Sequence, residues 1–347
     1  MTRIFLSSNP ENLAAELAAF RLTATVEAEF GDTVVEGSIL TLAHHGARSA
    51  NSAPCLASNG VAGDPVQVEA IGVSHIDLDS LGGVMAVLGS KPESVGFWAL
   101  SAFVDTNGPH KLAQAGAEAA DVARLYAFWA YSQAHRLMPD RSGAVTDVTE
   151  QVTEAMEAIA AILADDPAML AAGNDFRSAE DSLNKRSFVE MVGGVGVRVA
   201  DVFVSHLYGS PEGELAKAVV AFNTVTGTVT VSLADPIPGV SACTIVQGIW
   251  GTEAGGHAGI AGSPRGRRMT LADLARAAEA VREVIASTSV ECEDCGQVVS
   301  DLLPGQIPDG WGTVGCYEDC PKHEEAYCPS CLPAAQAAGR HRCGHDH

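Results

Sequence analysis

Aromatic side chains are few in this chain of 347 residues: Phe, Trp and Tyr together make up 5% of it. Small aliphatic side chains must therefore supply most of the core, and 35 glycines allow close packing and flexible loops. Positive charge is scarce as well. Twenty-one Lys and Arg stand against 43 Asp and Glu, a formal net charge of −22. A surface of that sign repels a nucleic-acid backbone and excludes a general DNA- or RNA-coating role. A small nucleotide, held by bound metal and a few local arginines, stays compatible with it. No apolar run approaches the roughly 18 residues of a membrane span, and the apolar start Met1–Leu6 is too short for a secretory signal. There is no internal repeat. Cysteine is almost missing from the first 290 residues, where only Cys55 and Cys243 occur; the other seven lie between Cys292 and Cys343. Clustering of that kind, with no secretory signal, reads as metal ligation in a reducing, cytoplasmic compartment rather than as disulfides.

What is present is α/β in pattern. Residues 12–21 read as a short helix, 34–42 and 68–73 as strands, and 81–88 as the start of a helix. The apolar run 95–104 reads as a buried strand ending at Asp105. Helical periodicity follows over 111–137, 145–163 and 175–191. Strand-like stretches cover 197–207, 216–223 and 229–233, and a helix covers 271–287 with Thr270 as N-cap. This divides the chain into a parallel-sheet α/β domain (1–110), a helical connector (111–190), a smaller α+β domain (191–289) and a Cys-rich module (290–347).

Three polar clusters follow strand-like runs in the first domain. The most pointed is Ser74-His75-Ile76-Asp77-Leu78-Asp79. Alternate residues at a strand end project to one face, so His75, Asp77 and Asp79 can converge on one ion. Imidazole with carboxylates suits Mn²⁺, Fe²⁺ or Zn²⁺; a solvated polar loop is the bland alternative, and for the bare pattern the two weigh about equally. Gly82-Gly83 lets the backbone turn tightly into the following helix. Asp105, at the next strand end, would lie beside Asp79 and bridge two metals, with His110 completing the second site. A turn of the Asx type is the equal alternative for these two. His44 and His45, with Arg48, form the third cluster, as ligands, as phosphate contacts, or as plain surface residues. Cys55 reads as a small buried residue.

In the second half, Gly255-Gly256-His257-Ala258-Gly259-Ile260-Ala261-Gly262 leads into Arg265, Arg267 and Arg268. Glycines permit close backbone approach, and the His and Arg residues supply local positive charge, as a phosphate-gripping loop requires. Neither a dinucleotide fingerprint nor a Walker pattern is matched. Together, His75-Ile76-Asp77-Leu78-Asp79-Ser80-Leu81-Gly82-Gly83 and Gly255–Gly262 resemble the two signature motifs of the DHH phosphoesterase superfamily. The Asp-His-His triplet of that family is not matched downstream; the only His pair, His44-His45, lies upstream after Ala43. The resemblance implies two-metal hydrolysis of a phosphodiester or phosphoanhydride, usually with Mn²⁺. By motif it assigns His75, Asp77 and Asp79 as ligands, Asp105 as the bridging carboxylate and His257 as the contact to the substrate phosphate; Gly255, Gly256, Arg265 and Arg48 are the further candidate substrate contacts. A catalytically silent nucleotide-binding or adaptor protein would share these features.

The tail carries Cys292-x2-Cys295, Cys316-x3-Cys320, Cys328-x2-Cys331 and His341-x-Cys343-x-His345. Paired ligands at such spacing are a strong zinc signal. One interleaving joins Cys292/Cys295 to Cys328/Cys331, and Cys316/Cys320 to Cys343 with a late histidine such as His345. A segment so short and so poor in large apolar residues needs metal to fold. The expectation is thus a metal-dependent phosphoesterase of a small nucleotide or short oligonucleotide, with Mn²⁺ at the catalytic site and Zn²⁺ in the tail. No membrane partner is expected; a protein docked on the tail and self-association stay open.

Overall fold

A computed structural model describes residues 2–28, 37–44, 48, 50–62, 68–300, 302–315 and 324–338. The chain is a mixed α/β protein that divides into two compact units, Met1–Glu180 and Asp181–His347.

The first unit begins with β1 (Arg3–Leu6), α1 (Pro10–Leu17), β2 (Thr23–Val26), β3 (Leu40–Leu42) and β4 (Ala70–Val73). It continues with α2 (Leu78–Leu88), α3 (Val95–Asn107), α4 (Ala119–Ala134), β5 (Thr146–Asp147), α5 (Thr149–Leu163) and the long α6 (Pro167–Ser187), which runs into the second unit. The strands form one sheet in the order β3-β2-β4-β1-β5. The first four are parallel and β5 is antiparallel to β1. Parallel strands are covered on both faces, and β1 beyond Arg3, β2 and β4 are buried along their length. Successive side chains alternate between faces. Ile4, Leu6, Val26, Ile71 and Val73 join the core of α2 to α5, while Phe5 and Ala70 meet Leu13 and Leu17 of α1. Gly72 makes that approach tight: a Cβ there would stand 2.9 Å from Leu17 Cδ1.

Two expectations are corrected. The run 95–104 is not a strand but helix α3, buried through Phe97, Trp98, Leu100, Ser101 and Ala102. One side packs in the core, but Val95 and Ala99 on the other side are exposed and apolar as well, and this erases the helical period a sequence shows. Gly82-Gly83 does not turn the chain into a helix either. Helix α2 already starts at Leu78, capped by Asp77 in a reciprocal box with Ser80. The glycines instead let α2 sit against its neighbours: a Cβ on Gly82 would meet Cys55 Cβ at 2.6 Å, and one on Gly83 would meet Val26 Cγ1 at 2.6 Å.

The second unit contains β6 (Phe188–Val192), β7 (Val195–Ala200), β8 (Ala218–Asn223), β9 (Thr228–Leu233), α7 (Ala242–Trp250), β10 (Gly255–Gly256), β11 (Ile260–Gly262) and α8 (Leu271–Ala286). Its sheet runs β10-β11-β9-β8-β7-β6, with β7 and β8 parallel. Val195, Val197, Val220, Val229 and Val231 pack with Val246, Ala277 and Val281 of the two helices. The tail adds the small pairs β12 (Val290–Glu291) with β13 (Val298–Val299) and β14 (Gly312–Gly315) with β15 (Glu324–Tyr327), then α9 (Leu332–Ala338). No helix among the described residues is long and apolar enough to cross a membrane.

Candidate functional site

Val26, Leu42 and Val73 stand level across β3, β2 and β4. The residues just beyond them therefore meet at one edge of the sheet, the carboxyl end where open α/β sheets place ligands. Glu27 follows β2, His44 lies two residues past β3, and Ser74 and His75 follow β4. Glu27 has φ 48°, a left-handed backbone without being glycine. Such a residue stores on the order of 1–3 kcal/mol of strain, a cost that concentrates at working sites. Its peptide is held from both sides: Glu27 N donates to Leu42 O (2.9 Å), and Glu27 O accepts from Ser74 N (3.3 Å) and from the Ser74 hydroxyl.

The buried imidazole of His44 is the hub. Its Nε2 lies 2.8 Å from Asp105 Oδ2, 3.4 Å from Asp79 Oδ2 and 3.9 Å from Glu27 Oε1. Glu27, His44 and Asp79 each offer a ligand atom within 4.8 Å of the others. Asp105 arrives from the last turn of α3, not from a strand end, yet it still reaches the place expected for it beside Asp79. One oxygen of Asp79 is fixed by the Cys55 backbone N–H (2.9 Å). Its other oxygen, Oδ2, is buried and accepts no hydrogen bond. The Cys55 turn (Pro54–Leu56) is itself stapled by Lys91, whose Nζ donates to Cys55 O at 2.8 Å and to Ala57 O. Lys91 also lies over the Trp98 ring, 5.5 Å from its centroid.

Burial, reinforced by the charge of Asp79, pushes the Glu27 carboxyl up to about 8. Burial also raises Asp79, with Asp105 and Asp77 adding to it against the bond from Cys55. A divalent cation would relieve both the desolvation and the repulsion. Ligands about 2.0–2.2 Å from one ion stand about 3 Å apart on adjacent octahedral positions and somewhat over 4 Å apart on opposite ones. The 2.8–3.9 Å separations fit that frame, and three carboxylates with one imidazole suit Mn²⁺, Fe²⁺ or Zn²⁺.

His75 and Asp77 pair with each other beside this cluster, Nε2 to Oδ2 at 3.3 Å. Ser74 Oγ fixes the other ring nitrogen at 2.9 Å. Burial works against the charged ring of His75, but Asp77, Glu27 and Asp105 outweigh it and its pKa is raised. Asp77 is lowered: burial opposes this, and the bonds from His75 and Ser80 prevail. A cavity of about 150 Å³ lies over these groups, lined by Asp77, Asp79, Ser101, Asp105, Phe128 and Trp129. His110 lies on the 3-10 turn Pro109–Ala115, with its ring against Gly108: a Cβ there would be 2.6 Å from His110 Cε1. Arg48 is half-buried. His45 falls outside the described residues. Glu27 was missed by the sequence reading. Its signal is an acid directly after the strand Thr23–Val26, the position that Ser74 holds after β4.

In the second unit, Gly255–Gly262 is a short hairpin, with His257 N donating to Ile260 O at 2.7 Å. His257, Gly255, Gly256 and Arg265 are exposed. Arg268, by contrast, is occupied by the carbonyls of Thr224 and Val225.

Cys292, Cys295, Cys328 and Cys331 come together, their sulfurs within 4.8 Å of one another. This is the expected interleaving of the two Cys-x2-Cys pairs. Cys295 Sγ and Cys328 Sγ are 3.7 Å apart, far beyond a disulfide bond. Four sulfurs about 2.3 Å from a tetrahedral ion would stand about 3.8 Å apart. Turns at each pair aim the thiols inward: Gly296 N donates to Cys292 O and Cys331 N to Cys328 O. Backbone N–H donation, led by Cys328, brings the Cys292 thiol down to about 6. Cys316, Cys320, Cys343 and His345 lie outside the described residues.

No protein-family model matches the chain, and no curated protein matches it.

Proposed function

We propose that the chain is a metal-dependent phosphoesterase that hydrolyses a phosphodiester or phosphoanhydride bond of a small nucleotide or short oligonucleotide. The observation that supports this reading is the convergence of Glu27 and His44, from the ends of β2 and β3, with Asp79 and Asp105 from helices α2 and α3. These four would hold a divalent ion, Mn²⁺ by resemblance. His75 and Asp77, paired next to them, are the remaining donors for a second. When bound, the metal supplies Lewis-acid charge to a phosphoryl oxygen and lowers the pKa of a nearby water. Asp79 is oriented by Cys55, Glu27 is held in its strained turn by Ser74, and Phe128 and Trp129 line the cavity beside the carboxylates. Water adds to phosphorus, the P–O bond to the leaving group breaks, and the leaving oxygen takes the proton. The exposed hairpin with His257 and Arg265 is the proposed phosphate-contacting element of the second unit. The tail would hold a structural Zn²⁺ on Cys292, Cys295, Cys328 and Cys331.

The test is a Mn²⁺-supplemented screen of dinucleotides, cyclic dinucleotides, nucleoside phosphates and short oligonucleotides. Hydrolysis of one of these by the wild type and its loss in Asp79→Ala is the expected result. Activity that survives the substitution would sink the proposal.

A further inference from the structure

A second cavity of the first unit, about 260 Å³ in volume, opens between the end of α4 and the start of α5. It adjoins the metal-ligand cluster. Phe128 and Ser132 line both this cavity and the smaller one over Asp77, Asp79 and Asp105, and Ile76, between His75 and Asp77, forms part of its wall. The cavity falls just under the roughly 300–1,000 Å³ of pockets that enclose a whole drug-sized ligand, so it suits one ring system rather than a full dinucleotide.

Its lining is chosen for a planar ring. Tyr131 and His135, one turn apart on α4 and its C-cap, stack with centroids 4.3 Å apart and planes inclined by 18°. His135 Nδ1 is fixed by Tyr131 O at 3.0 Å, which holds the two rings as one stack and leaves its outer face to a ligand. Phe128 is buried beneath. Gln151 and Glu154, on the first turns of α5, stand at the rim and are both exposed. An amide offers a donor and an acceptor together, and a carboxylate accepts from N–H groups, the complement of an amino-bearing base edge. Glu154 and Arg136 offset each other at the rim, so the pocket carries little net charge with which to hold a phosphate.

We propose that this cavity is a nucleobase pocket that takes an amino-bearing purine of the substrate while its phosphate lies over the metal-ligand cluster. Only the position of the phosphate rests on the phosphoesterase reading; recognition of the base does not. Stacking on an aromatic face contributes about 1–3 kcal/mol per base, with the edge contacts adding selectivity.

The experiment uses the full chain loaded with Mn²⁺, and two readouts. Titration with adenosine, which has no phosphate, reports the pocket alone. Steady-state kinetics on the dinucleotide pApA reports the pocket joined to the metal site. Gln151→Ala and Glu154→Ala change exposed residues and leave the fold intact; Tyr131→Leu removes the stacking face. Each should weaken adenosine binding by about tenfold and raise KM for pApA by a similar factor, with kcat within about twofold. Uridine should bind at least about fivefold more weakly than adenosine to the wild type. Adenosine binding that fails in the wild type, or is equal in all the variants, overturns the pocket. Adenosine binding that the substitutions abolish, in a protein that hydrolyses nothing, upholds the pocket and removes the phosphoesterase.

Discussion

The two clusters of candidate metal ligands in this protein are built in opposite ways. In the first unit, Glu27 and His44 follow two strand ends, Asp79 and Asp105 lie on two helices, and all four are set in place by a packed sheet and the helices on it. In the tail, Cys292, Cys295, Cys328 and Cys331 sit on two tight turns between two-stranded ribbons with little core beneath them. The first site is made by the fold; the second would itself make the fold. A two-stranded ribbon is marginal alone, and a structural zinc site contributes roughly 10–16 kcal/mol, enough to decide whether such a segment is ordered. The cation should therefore matter for chemistry in one place and for folding in the other.

The largest effect expected is at the tail. Cys328→Ser, or a strong chelator, should release one zinc and render residues beyond about 288 sensitive to protease, because the sulfur cluster outweighs the small apolar contacts there. Zinc content by mass spectrometry and limited proteolysis measure this. The melting of the rest of the chain should stay within a few degrees. A tail that remains protected without metal would show that both clusters are made by the fold.

Asp79→Asn reverses the pattern. The amide oxygen can still accept from the Cys55 N–H, so thermal stability should change little, while activity falls by about 10³-fold, beyond the 10–100-fold typical of groups that only support a ligand. Loss of Mn²⁺ binding by calorimetry, with tail zinc retained, completes the test. A collapse in stability instead would mark Asp79 as a structural acid.

The same contrast explains what the sequence disclosed. Cys-x2-Cys pairs are local, since each lies within four residues, so the pairs themselves are legible in the sequence; which pair joins which is set by the fold, and Cys292/Cys295 with Cys328/Cys331 was one interleaving among several. His75, Asp77 and Asp79 were visible because a strand delivers them in one stretch, but spacing alone could not divide them: Asp79 turns to His44, while Asp77 caps α2 and pairs with His75. Glu27 and His44 are 17 residues apart and meet only through strand register. Register is a non-local property, and no motif encodes it. Asp105 was expected at a strand end and lies in the last turn of helix α3, whose exposed side carries Val95 and Ala99 and so lacks the amphipathic period by which helices are recognised.

A smaller effect is expected one step behind the ligands. Lys91→Met keeps most of the aliphatic stem over Trp98 but removes the donor to Cys55 O and Ala57 O. The turn that presents the Cys55 N–H to Asp79 would loosen. Mn²⁺ affinity should fall by about tenfold, in the range of outer supporting groups, and Lys91→Arg should restore part of it. Unchanged affinity would mean that the packing of Cys55 against Gly82 suffices to hold the turn.

The smallest effect has the opposite sign. Glu27 is an acid in a left-handed backbone, buried to 2% exposure and crowded by Asp79 and Asp105. Stability was not what placed it there. Glu27→Gln keeps its shape and removes the cost of protonating a buried acid on folding, so near neutral pH the metal-free protein should gain on the order of 1 kcal/mol, a rise in Tm of about 2–4 °C for a unit of this size. Mn²⁺ should then stabilise the variant far less than it stabilises the wild type, so that the two melting curves cross as metal is added. A ligand site is commonly a place where stability has been given up for function. The crossing separates that case from a merely tolerated buried acid, for which the variant would be the more stable at every metal concentration. Cys292→Ser in the tail should show no such crossing, because a site that makes its own fold has no metal-free stability to recover.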